Sequence, residues 1–167
     1  MTGLFAPLTP AEWEALTLSL RVSLVATAVS LPLGIATAYA LARWRFWGRG
    51  ALDALVHLPL VLPPVVTGFA LLLLFGRQGP LGAFLEETTG LVFAFRWTGA
   101  ALAAGVMGFP LMVRAIRLGF EGADRRLEEA AATLGAHPAV VFVTVTLPLA
   151  LPGVITGAIL AFAKAMG

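Results

Sequence analysis

The chain contains no cysteine in its 167 residues, which excludes disulfides and thiolate metal sites and leaves the redox compartment undetermined. Charge is scarce as well. Only 12% of the residues are charged, about half the fraction of a soluble domain, and the formal net charge is +2. The arginines stand at the ends of apolar runs rather than in a patch, so nothing points to nucleic acid. Histidine occurs twice, as His57 and His137, on different segments. Each reads as a hydrogen-bonding group at the end of a span, with His137 before Pro138 as the cap of a new helix. No phosphate-binding G-x-x-x-x-G-K-[ST], no H-E-x-x-H and no G-x-S-x-G occurs. The first residues, "MTGLFAPLTPAEWEAL", lack the basic start of a signal peptide. With no ionisable group at mid-depth in any apolar run, catalysis within a membrane has little to work with, and no cofactor or metal is called for.

What the chain does have is apolar length. Hydrophobic residues make up 59% of it, and uncharged runs of about 20 residues recur, the length that crosses a bilayer as helix. An all-α integral membrane protein follows. The spans are expected at about 13–42, 54–75, 97–116 and 143–163, with a charged segment at about 119–142, all in one transmembrane domain over 1–167. Thr9, Pro10 and Glu12 make a capping box for the first span, and Leu8 and Trp13 stand where a hydrophobic staple falls. Pro32 should kink that span. Arg21, near the start of the span, reads as a snorkelling anchor. "GRQGPLGAFLEETTGLVFAFRW" reads as an extramembrane loop with a short interfacial helix at Phe84 and Leu85.

The second span contains "HLPLVLPPVVTGF". Prolines at 59, 63 and 64 bend or partly unwind it, and two readings stay open. Either the bend shapes packing, or Pro63, Pro64, Thr67 and Gly68 line a path whose uncharged wall lets an anion pass without trapping it. Orientation comes from the arginines: three in the Arg43–Arg49 turn and four between Arg114 and Arg126, against two in the Gly76–Trp97 loop and none before Arg21. The positive-inside rule places the two richer loops in the cytoplasm and the N-terminus outside.

Between the third and fourth spans stands "LEEAAATLGAHPAVVFVTVTLP". It places Leu127, Ala130, Ala131 and Leu134 on one helical face, with Gly135 in the position of a left-handed cap. The result is a helix–turn–helix just below the bilayer, either an amphipathic linker or a docking element whose register Arg126, Glu128 and Glu129 set. "EAAATLG", nine residues, then "VTLP" resembles the E-A-A-x3-G-x9-I-x-L-P motif of bacterial importer permeases powered by ABC ATPases. Glu129, Ala130, Ala131, Gly135, Leu147 and Pro148 match, and Val145 replaces isoleucine. "SLVATAVSLPLGIATAYALAR" and "LVHLPLVLPPVVTGFALLLLFGRQGPLG" are similar to the molybdate (or tungstate) branch, with sulfate permeases next.

The resemblance implies a type I importer fold with about four spans here and at least one more past "AKAMG". It implies an inner-membrane permease for an oxyanion, most readily molybdate. ATP hydrolysis then belongs to a separate cytoplasmic ATPase subunit that receives the segment at about 119–142, with Glu128, Glu129, Ala130, Ala131, Gly135, Val145, Leu147 and Pro148 as coupling residues. The same resemblance implies a periplasmic oxyanion-binding protein, a homodimer with the pore between two copies, and a lipid surround. A docking module without transport is the competing class, and an intramembrane enzyme the weakest.

Overall fold

The computed structural model describes residues 9–90, 93 and 96–167. Every regular element in them is helical: α1 Pro10–Arg43, α2 Arg49–Val61, α3 Pro64–Phe75, α4 Pro80–Thr89, α5 Trp97–Gly122, α6 Arg125–Thr133, α7 Pro138–Val141, a π-helical stretch Phe142–Thr146, and α8 Leu147–Met166. Three stretches are long and apolar enough to cross a membrane: α1, α5 and Pro138–Met166. A fourth forms if α2 and α3 count as one broken span.

The start of α1 follows from its capping box. Thr9 N–H donates to Glu12 Oε2 at 2.7 Å and Glu12 N–H to Thr9 Oγ1 at 3.4 Å, so two amides at the helix start have acceptors. Leu8, the other half of the expected staple, lies outside the described residues. The helix runs on through Pro32 to Arg43. Arg21 places its guanidinium 4.3 Å from the centre of the Trp97 ring, which holds the beginning of α5 beside α1.

Helix α5 packs between α1 and α8. It runs parallel to α1, since Arg21 meets Trp97 near one end and Tyr39 meets Phe120 near the other. It runs antiparallel to α8, with Gly119 against Gly153 and Gly108 against Ala161. Glycine is needed at the first of these contacts: a β-carbon on Gly153 would stand 2.8 Å from Gly119 Cα and 2.9 Å from the Ala115 carbonyl oxygen. Small residues let two backbones approach this closely where water provides no hydrophobic drive. Around the contact, Ala38, Leu41, Met112, Val113, Ile116, Phe120 and Ala150 are fully buried.

Two boundaries differ from the sequence expectation. Helix α5, the expected third span, passes the charged position 117 and ends at Gly122, with Arg117 donating to Asp53 of α2 at 3.1 Å and to Glu121 one turn on at 2.7 Å. Helix α5 therefore includes residues 119–122, where the expected charged segment begins. The second apolar run is two helices bent by 115° across Leu62 and Pro63. Pro63 and Pro64 lack the amide hydrogens that would continue α2, and Leu62, before a proline, takes extended backbone with ψ 141°. Beyond the break, Val65, Phe69 and Leu73 are more than half exposed.

Candidate functional site

The candidate docking segment hangs from the end of the bundle where α1 finishes and α5 ends. Asp124 caps α6 by accepting from the Arg126 amide at 2.9 Å. Nine residues later α6 stops in a paired C-terminal cap: Gly135 N–H donates to Ala132 O at 3.0 Å, and Ala136 N–H to Ala131 O at 3.3 Å. Gly135 has φ +81°, the left-handed backbone this cap demands. His137 then caps α7, its Nδ1 accepting from the Ala139 amide at 3.3 Å. The chain enters the π-helical stretch and passes at Leu147 into α8. Local π-helix is uncommon and tends to mark functional positions; here it carries Val145.

Three contacts join this segment to the membrane helices. Arg43 Nη2 donates to Glu128 Oε1 at 2.6 Å, with the two side chains 8% and 20% exposed, so the pair is largely withdrawn from water. Arg43 also reaches the Ala123 carbonyl at 3.4 Å. Tyr39 of α1 meets Phe120 of α5 edge-on at 5.4 Å and Phe142 of the π-helical stretch at 4.9 Å. Edge-to-face rings at these separations attract beyond their buried area. An ion pair thus joins α6 to α1, and an aromatic cluster joins the π-helical stretch to α1 and α5.

The sequence-derived residues divide accordingly. Glu128 is turned inward onto Arg43. Glu129 and Ala130 are exposed, Ala131 is half-buried, and Gly135 is exposed at the turn. Leu127 and Leu134 are 49% and 88% exposed, so α6 presents an apolar stripe that is only partly covered among the described residues. Val145 and Leu147 are half-buried, and Pro148 is exposed in the first turn of α8. The inward contacts of Glu128 and the Tyr39–Phe120–Phe142 cluster carried no signal of their own, since the partners lie far apart in sequence. The glycine contact did have one: Gly153, Gly157 and Ala161 stand at four-residue spacing on α8.

The candidate path residues lie apart from this segment. Pro63 and Pro64 are exposed at the break. Thr67 is buried, its Oγ1 donating at 3.4 Å to the Pro63 carbonyl, which also accepts the Val66 and Thr67 amides at the start of α3. Gly68 lines a cavity of about 170 Å³ between α3 and the start of α5, with Arg96 on its wall. A larger apolar groove of about 710 Å³ lies between α1, α2 and α5, with Ser30, Thr37 and Thr98 among its few polar linings. Among the described residues no group of three or more His, Asp or Glu side chains is placed to hold a metal ion.

A family model described as binding-protein-dependent transport system inner membrane component matches residues 30–167. The molybdenum transport system permease protein ModB of Escherichia coli (strain K12) is 57% identical over 160 residues, covering 96% of this chain and 70% of that protein. Its namesake in Haemophilus influenzae is 51% identical over 156 residues, 93% of this chain and 68% of the relative. A probable sulfate transport system permease protein of Nephroselmis olivacea is 36% identical over 158 residues, 95% of this chain and 55% of the relative.

Proposed function

Because the chain belongs to the family of binding-protein-dependent transport system inner membrane components, we propose that it is the transmembrane subunit of an ATP-driven importer for molybdate. The observation that carries the substrate class is the 57% identity to a molybdenum permease over 96% of the chain. The weaker, 36% likeness to a sulfate permease makes sulfate the runner-up among tetrahedral oxyanions.

The ATPase is a separate cytoplasmic subunit, and α6 is the element it grips. The stripe of Leu127, Ala130 and Leu134 supplies apolar contact, and exposed Glu129 supplies a charge-assisted hydrogen bond that fixes register. Glu128 works on the other side of α6, holding it to α1 through Arg43. When the ATPase closes, α6 moves. The Arg43–Glu128 pair and the Tyr39–Phe120–Phe142 cluster pass that movement into the spans and switch the path between inward- and outward-facing. A periplasmic binding protein delivers the oxyanion. Two copies form the path between them, and the exposed apolar faces of α2 and α3 meet lipid or the second copy. Pro63, Pro64, Thr67 and Gly68 border the path, where a bent backbone and small side chains give weak, multiple contacts to an anion.

Co-purification from membranes tests the grip. The ATPase subunit should accompany the wild-type permease and be lost, by about tenfold or more, from Glu129→Lys and Leu134→Asp variants that reach normal membrane levels. Retention of the ATPase at wild-type levels by both variants would refute α6 as the docking element.

A further inference from the structure

Between α1 and α2 the chain turns through Trp44, Arg45, Phe46, Trp47 and Gly48. A cavity of about 420 Å³ opens in this turn, lined by Ala42, Arg43, Trp44, Arg45, Arg49 and Arg125. Four of the six lining residues are arginines, and no carboxylate is among them. Glu128 is engaged with Arg43 Nη2, and Asp124, which precedes Arg125, caps α6 by accepting from the Arg126 amide. Arg45, Arg49 and Arg125 form no ion pair among the described residues. Arg43 is 92% buried by its side chain, and its Nε is shielded from solvent without a hydrogen-bond partner. A buried guanidinium N–H lacking an acceptor is destabilising, and like charges gathered around one hollow repel each other until an anion enters.

The surroundings say what kind of anion. Trp47 is fully exposed, Trp44 is 58% exposed and Phe46 is 39% exposed, all within the same turn. Exposed tryptophan beside arginine at the end of a span is the composition of the bilayer's headgroup layer. The planar forks of arginine suit the paired oxygens of a phosphate, and basic hollows between membrane helices take anionic headgroups. Free phosphate would meet the same guanidinium groups, but only a lipid also uses the aromatic rim.

We propose that this cavity binds the phosphate of an anionic phospholipid of the phosphatidylglycerol class. Arg125 is the first residue of α6, so a bound headgroup joins α6 to the α1–α2 turn beside the Arg43–Glu128 pair. Lipid charge thereby sets how firmly α6 is held to the bundle.

Native mass spectrometry of the protein purified in detergent tests this, with phosphatidylglycerol, phosphatidylcholine and inorganic phosphate added in separate titrations. Phosphatidylglycerol should bind at concentrations where phosphatidylcholine does not. Arg45→Ala/Arg49→Ala should weaken that binding on the order of twentyfold, while Arg77→Ala, in a different loop, leaves it unchanged. Phosphatidylglycerol should also raise the thermal midpoint of the wild type and not of the double variant. Arg125→Gln, a single exposed change on α6, should weaken binding in the same direction if the double variant folds poorly. Equal retention of phosphatidylcholine, or wild-type binding of phosphatidylglycerol by the Arg125→Gln and double variants, would overturn the proposal. Saturation by inorganic phosphate with no preference for the lipid would place a free anion there and overturn the lipid assignment.

Discussion

At Gly135 nothing lies within 4 Å of where a β-carbon would stand, so a side chain there meets no neighbour. What it meets is the backbone: φ +81° disfavours L residues by about 1–2 kcal/mol, and a β-branched residue suffers most. Asparagine tolerates this conformation better than valine does. Gly135→Val is therefore expected to loosen the end of α6 and lower uptake by the assembled transporter several-fold at unchanged membrane abundance, with Gly135→Asn keeping most of it. Equal uptake by both variants would show that the left-handed cap is dispensable. Gly135 was legible in the sequence because a cap has a local pattern. The inward turn of Glu128 was not. Its neighbour Glu129 looks the same in sequence, and only the emergence of Arg43 beside α6 separates the two.

The elements divide in the same way. The long apolar runs and the capping box of α1 are local features, and their helices form where hydropathy and capping place them. The extent of α5 depends on Asp53, 64 residues away in sequence, which neutralises Arg117 and lets the helix continue past its charges. Prolines at 63 and 64 announce a bend, and the two helices meet there at 115°. The α5–α8 contact rests on close backbone approach at Gly119 and Gly153. Gly153→Leu would drive a side chain into the Gly119 backbone and force the helices apart, at about 1–3 kcal/mol or more. A thermal midpoint in detergent lowered by several degrees is expected. Gly122→Ala, where a β-carbon meets nothing within 4 Å, should leave the midpoint unchanged. Equal midpoints for the two variants would contradict the packing role given to the glycine pair.

On the scale of the whole molecule, only 22–33% of each membrane-length window is buried within the chain, which leaves apolar surface for lipid and for other subunits. Orientation is an arginine argument and has a direct check. Glu87 and Ala132 are both exposed, on α4 and α6. In intact cells an impermeant thiol reagent should label Glu87→Cys from outside and spare Ala132→Cys; the reverse pattern would invert the topology. ATP-driven oxyanion transport through α6 coupling can be measured as uptake into proteoliposomes. These would hold the permease, its ATPase and its binding protein, with ATP supplied to the ATPase side. Uptake of labelled molybdate should need ATP, exceed sulfate uptake at equal concentration, and fall to background with Glu129→Lys. Uptake that ignores ATP, or that survives Glu129→Lys undiminished, would contradict transport coupled through α6.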